Sequence, residues 1–305
     1  MAELKDKIKF ALDESRMLVI GAQVLLGFHF RAVFEPAFER LPRSSQVLKL
    51  GALLILLSAI ALIMAPGSYQ RIVRAGSDAE DVHQFATTVM DIALVPFLLA
   101  LGLDTYLTTA RIGGTAGGII IGVLIGASAF SFWYAPAFFS SRRNKKSTPK
   151  NEKMPAHPTA LKTKIDRALT EARMVLPGAQ ALLGFQLATM FMDKFDALPD
   201  SSKKIHIISL GLMALTMVVL MAPAAYHRIV EQGEDTQRFY EVAGRLLLAA
   251  MVVLPLGICG DVFIVFRKVT ESVSWSIAIA ALVLAFYYGL WFGFTYYRRA
   301  RLAQS

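Results

Sequence analysis

The sequence predicts an all-α, polytopic membrane helix bundle made of two parallel four-helix repeats, and three observations carry that expectation. A shift of 157 residues lays the second half of the chain on the first without a gap for most of its length. Each half contains apolar runs of about 20 residues, roughly 30 Å as helix, which matches the hydrocarbon thickness of a bilayer. The whole chain of 305 residues is 55% hydrophobic with a mean hydropathy of +0.50, too apolar for an ordinary water-soluble domain.

The duplication is explicit in the residues. Glu14, Arg16 and Met17 fall on Glu171, Arg173 and Met174; Gly21-Ala22-Gln23 on Gly178-Ala179-Gln180; Leu26-Gly27-Phe28 on Leu183-Gly184-Phe185. Met64-Ala65-Pro66, Tyr69 and Arg71 fall on Met221-Ala222-Pro223, Tyr226 and Arg228, and Asp104 falls on Asp261. Each copy is therefore one structural unit. Apolar segments place spans near 17–36, 47–66, 84–107 and 113–134 in the first copy, and near 174–193, 205–223, 240–264 and 275–296 in the second. A helix satisfies its own backbone in lipid, so eight membrane helices are expected. An even number per copy makes the copies parallel, related by a pseudo-twofold axis along the membrane normal.

Basic residues set the orientation. Of the lysines and arginines, 21 fall on the side holding both termini and the inter-repeat segment, against nine on the other. The richer side is cytoplasmic by the positive-inside rule, as expected for a multi-pass protein of a bacterial inner membrane. The net charge of +9 is concentrated next to aromatic span ends, where it serves an anionic leaflet rather than nucleic acid. Three units follow: a first membrane repeat at 1–139, a basic cytoplasmic linker at 140–159 and a second repeat at 160–305. Amphipathic segments built on Leu4, Ile8 and Ala11, and on Leu161, Ile165 and Ala168, lead into the first span of each copy. The N-terminus lacks the pattern of a cleavable signal peptide.

Ionisable groups inside spans are costly and point to function or to a buried pair. Asp104 and Asp261 stand at matched positions in the third span of each copy, and across a central axis they would form a proton-carrying pair. The structural alternative pairs them with Arg111 and Lys268. Asp91 and Arg245 occur in one copy each, in the third and seventh spans, and would compensate one another if those spans met. These four are the candidates for an ion path. Glu14, Arg16 and Arg71 with their counterparts Glu171, Arg173 and Arg228 form a candidate clamp at the cytoplasmic face. Gln23 and Gln180 beside small residues suit helix association, as do Gly114, Gly118, Gly122 and Gly126 at intervals of four. His29 faces Gln186 in the alignment and breaks the symmetry of the two copies.

No nucleotide loop, metal-binding helix motif or nucleophile elbow occurs, and the five histidines lack metal-ligand spacing. An enzyme, a metal site and a bound cofactor are therefore not expected. Cys259 is the sole cysteine, so no intrachain disulfide forms.

The repeated Glu-x-Arg-Met, Gly-Ala-Gln-x-Leu-Leu-Gly-Phe and Met-Ala-Pro-x-x-Tyr-x-Arg motifs resemble an uncharacterised bacterial family of small four-helix membrane proteins, over about 14–134 and 171–291. The resemblance is stronger in the second copy; the first departs with Ile20 opposite Pro177 and Gln70 opposite His227. Members usually carry one copy and are sometimes labelled sodium:proton antiporters. The resemblance implies the fold, and transport of protons or monovalent cations is its functional expectation. The alternative is a noncatalytic scaffold or regulatory subunit. A fused duplicate supplies a pseudo-dimer within one chain.

Overall fold

The computed structural model describes residues 18–74, 79–143, 161–231, 234 and 236–304, and among these the chain is helical with no strand. In chain order the elements are α1 (Leu18–Ala32), α2 (Pro36–Glu39), α3 (Arg43–Arg74), α4 (Glu80–Arg143), α5 (Leu161–Thr189), α6 (Asp193–Asp196), α7 (Asp200–Ile229), α8 (Gln237–Thr270), α9 (Val273–Tyr288) and, after a π-helical stretch at Gly289–Gly293, α10 (Phe294–Leu302). Six segments are long and apolar enough to cross a membrane: Arg43–Arg74, Glu80–Ala110, Gly114–Ser131, Asp200–His227, Gln237–Thr270 and Val273–Leu302. The first helices of the two repeats fall outside that set. α1 is described only from Leu18, and the first turns of α5 are the charged Leu161-Lys162-Thr163-Lys164-Ile165-Asp166-Arg167. α5 nevertheless runs unbroken from that amphipathic segment to Thr189, with Ile165 and Ala168 buried.

The two copies turn at the same place. α4 breaks at Gly114, whose φ is 71°, so the segment divides into a first arm ending at Ala110 and a second arm over Gly114–Ser131. The equivalent residue, Glu271, has φ 58° and separates α8 from α9. The two share a positive φ and differ in ψ: Gly114, at 175°, occupies a region essentially reserved for glycine, whereas Glu271, at 9°, is left-handed, a conformation a side chain enters at some steric cost. Ser272 then caps α9 by accepting from the Trp275 N–H.

The repeats meet along one seam. At one end Glu39 of the α2 loop accepts from Lys194 of the α6 loop at 2.5 Å and from Lys268 of α8 at 2.8 Å, so corresponding loops of the two copies lie at the same end of the bundle. In the middle, Tyr287 donates its hydroxyl to the Leu57 carbonyl at 3.0 Å, and Trp291 its indole N–H to the Ala61 carbonyl at 2.8 Å. Both rings are fully buried. At the far end Phe294 stacks on Phe85, which stacks on Tyr69. α3 is thus covered by α8, α9, the π-helical stretch and α10.

This seam is one-sided. α4 makes no comparable contact with α7 among the described residues. The first helices behave alike: a Cβ on Gly27 would overlap the Phe185 ring and one on Gly178 would overlap Gln23, whereas the partners Gly184 and Gly21 face open space. A twofold relation would make both members of each pair equally crowded.

Two outcomes follow. Gly27→Ala forces Phe185 aside and costs about 1–3 kcal/mol by overpacking, while Gly184→Ala is neutral or stabilising by up to about 1 kcal/mol through helix propensity. Thermal unfolding in detergent, followed by dye labelling of the buried Cys259, reads both; equal effects would contradict the one-sided packing. The second concerns acid. Hydrogen bonds from Lys194 and then Lys268 hold the Glu39 carboxyl at about 2, below its ordinary value. A depressed value contributes stability above the unfolded pKa of about 4.3, lost as pH falls from there toward 2. Glu39 is exposed, so the effect is under about 1 kcal/mol. A difference in unfolding temperature between wild type and Glu39→Gln should be present at pH 7 and vanish near pH 2.

Candidate functional site

Three helices of each repeat converge on its carboxylate. In the first repeat the Asp104 carboxylate, on α4, receives the His29 Nε2 of α1 at 2.5 Å on one oxygen and the Lys49 Nζ of α3 at 2.6 Å on the other. His29 is 1% exposed, Lys49 18% and Asp104 20%. This is a compact ion-paired cluster in which both carboxylate oxygens have charge-assisted partners.

The second repeat places the equivalent positions together with different chemistry. Asp261, on α8, receives Gln186 Nε2 of α5 at 2.6 Å on Oδ2. Ser209 Oγ of α7 lies 3.2 Å from Oδ1 and 2.6 Å from the Gly257 carbonyl. Its single hydroxyl proton serves one of these acceptors at a time. His206 of α7 presents Nδ1 to Oδ1 at 3.9 Å, and its Nε2 lies 3.1 Å from the Gln186 carbonyl. A carbonyl only accepts, so Nε2 carries the proton and Nδ1 presents its lone pair toward the carboxylate. All four side chains are at most 5% exposed.

The two clusters are one arrangement with substituted parts. His29 corresponds to Gln186, Lys49 to His206, Ala52 to Ser209 and Asp104 to Asp261. Where the first repeat holds the Lys49 amine, the second holds an imidazole and a hydroxyl. Asp261 has no lysine or arginine partner among the described residues, and the Gln186 Oε1 is buried without a hydrogen-bond partner. A narrow cleft opens on this cluster between Phe185, His206 and Asp261 of the second repeat and Phe30 and Phe34 of the first. It has room for about one water.

The sequence candidates are distributed unevenly. Asp104 and Asp261 each sit within their own repeat and do not meet; Asp261 does not take Lys268, which is engaged by Glu39, and the side chain of Arg111 lies outside the described residues. Asp91 and Arg245 are both exposed, and their helices are not packed against one another, because α3 rather than α4 is the element of the first repeat that meets α8. Of the clamp candidates, Glu14 and Arg16 lie outside the described residues, as do the side chains of Glu171, Arg173 and Arg228. Arg71 reaches toward α8, where a Cβ on Gly244 would stand 3.0 Å from its guanidinium.

Gln23 is fully buried against Gly178, with Nε2 4.0 Å from Met64 Sδ, while Gln180 is exposed. Gly118 lies against Ala110, and Gly122 against the Gly102 carbonyl and Tyr106. A Cβ on Gly126 would stand 3.9 Å from Leu98, and Gly114 forms the break itself. The glycines therefore let the second arm of α4 fold back on the first. Lys49, His206 and Ser209 were missed as site residues. The repeat alignment held the signal, since it sets Lys49 against His206 in a span otherwise apolar on that face.

The clusters differ in what neutralising the carboxylate does. Asp104→Asn leaves Lys49 with its buried charge unpaired and should lower stability by about 3–5 kcal/mol. Asp261→Asn keeps the shape and an acceptor oxygen and should cost under about 1.5 kcal/mol. Cys259 labelling on heating measures both, and a larger loss for Asp261→Asn would reverse the assignment of the two sites.

No curated protein matches the chain, and no solved structure matches it. One family model does, twice: the Family of unknown function (DUF6328) covers residues 5–137 and again 159–295. Those two segments span most of the chain and coincide with the two copies seen in the residues, so the protein belongs to DUF6328, an uncharacterised family, as a tandem duplicate of its domain.

Proposed function

We propose that this protein is a proton-linked transporter of monovalent cations, with Asp261 as the group that exchanges the proton. In this reading eight helices form two parallel repeats in a bacterial inner membrane, with both termini and the linker cytoplasmic. The observation that carries it is the contrast between the two clusters. Asp104 is held by a lysine and a histidine, so releasing it from its partners leaves charges buried. Asp261 is surrounded by an amide, a hydroxyl and an imidazole lone pair. It can gain or lose a proton, or trade one for a cation, without breaking an ion pair.

Gln186 and Ser209 suit both states. An amide and a hydroxyl each donate and accept, so they donate to the ionised carboxylate and, on reorientation, accept from the protonated one. The unpartnered Gln186 Oε1 is the acceptor such a reorientation uses. His206 Nδ1 is a second place for the proton beside Oδ1. The reading contains no enzymatic step and no bound cofactor.

A second reading, a noncatalytic scaffold or regulatory subunit, is favoured by Asp104 itself, whose hydrogen bond with His29 and ion pair with Lys49 bind α1, α3 and α4 together as a structural tie would. Purified protein in liposomes loaded with a pH dye separates the two. Under the transport reading, sodium or potassium jumps drive proton movement that Asp261→Asn abolishes while the variant stays folded and inserted. Absence of flux in well-inserted wild type would favour the scaffold.

A further inference from the structure

The seam between the repeats uses different surfaces of the two copies: the α3 face of the first and the α8–α10 face of the second. The equivalent surfaces, the α7 face of the second repeat and the α4 face of the first, take no part in this seam. By the repeat alignment they match one another as α3 matches α8–α10. We propose that a second copy of this chain completes the assembly, with the second arm of α4 from one chain seated on α7 of the next.

Exposure follows the alignment. On α3, Ala61 and Met64 are 0% and 6% exposed beneath Trp291 and its neighbours, whereas their counterparts on α7, Val218 and Met221, are 65% and 52% exposed. Tyr287, the buried residue that bonds α3, corresponds to Phe130, which is 50% exposed. Charge repeats as well. Glu39 meets Lys268 across the existing seam; its counterpart Asp196 is exposed, and the position equivalent to Lys268 is Arg111, of the same sign.

A contact between unlike surfaces is heterologous and continues until rotation closes it. Because α4 makes no contact with α7 of its own chain comparable to the existing seam among the described residues, the rotation between repeats does not close within one chain. In a membrane every copy keeps the same orientation, so closure runs around the membrane normal, and two chains are the smallest closed ring. Lipid on these faces would leave the chain alone, and a hairpin swing within one chain would make it a closed pseudo-dimer; both are alternatives the test distinguishes.

The full-length chain has a single cysteine, so Cys259→Ser supplies a background free of thiols. In that background, chains carrying Phe130→Cys and chains carrying Val218→Cys, with tags of different size, are coexpressed and treated in native membranes with a short bismaleimide. The proposal expects a product containing one chain of each kind. Replacing Val218→Cys by Leu282→Cys, on an exposed position of α9, should lose it. Absence of the mixed product overturns the proposal, as does a product formed only within single chains that carry both cysteines. Native mass measurement of the unmodified protein in nanodiscs guards against misfolded variants: particles with two or more chains are expected, and single chains overturn the proposal.

Discussion

A carboxylate between helices in lipid has no water to turn to, so its partners must come from neighbouring helices. That constraint organises each repeat. Asp104 draws α1 and α3 to α4 through His29 and Lys49, and Asp261 draws α5 and α7 to α8 through Gln186, Ser209 and His206. Apolar packing alone gives little preference for one helix arrangement over another in lipid, because the tails are as apolar as the side chains. Hydrogen bonds with fixed partners supply the preference, and they place the third helix of each copy against its first and second.

The seam between copies depends on the same principle in weaker form. Tyr287 and Trp291 donate to backbone carbonyls of α3 that already serve the helix, each bond contributing about 0.5–1.5 kcal/mol. The π-helical stretch at Gly289–Gly293 carries Trp291 toward Ala61, and local departures of this kind recur where a helix must aim one side chain. Close approach at Gly27 and Gly178 adds contact between α1 and α5. Neither set of contacts is mirrored on the other side, so the two copies share a fold and not an environment.

The helices, their order and the duplication were legible because they rest on long apolar runs and on identities at a constant shift. The turn at Gly114 and Glu271 was legible as a boundary between spans, though not as a shared positive φ. The site was half legible. Asp104 and Asp261 stood out as charges in apolar helices, but Lys49 lies close to a span end among the basic residues of the outer side, and nothing in the pattern singled out His206 or Ser209. Asp91 and Arg245 show the opposite error. Complementary charge and similar depth suggested a pair, yet contact depends on which helix faces which across the seam, and α3 takes the place against α8 that the pairing required of α4. Helix rotation and the hand of an interface are set by side-chain packing that no hydropathy pattern encodes.

Joining two copies in one chain has a consequence that a dimer of identical single copies does not share. In such a dimer, whatever occupies the position of Lys49 occupies it twice, and both carboxylates are tied or both are open. Here Lys49 places an ammonium 2.6 Å from Asp104 while His206 leaves Asp261 without one. The Lys49–Asp104 ion pair joins α3 to α4 and gives the first site a direct partner for its carboxylate. The second site is assembled from the same three helix positions, so the first serves as its rigid counterpart. Under the transport reading proposed above, exchange would be confined to one carboxylate per chain, in the half where the amide, hydroxyl and imidazole can each change hydrogen-bond role.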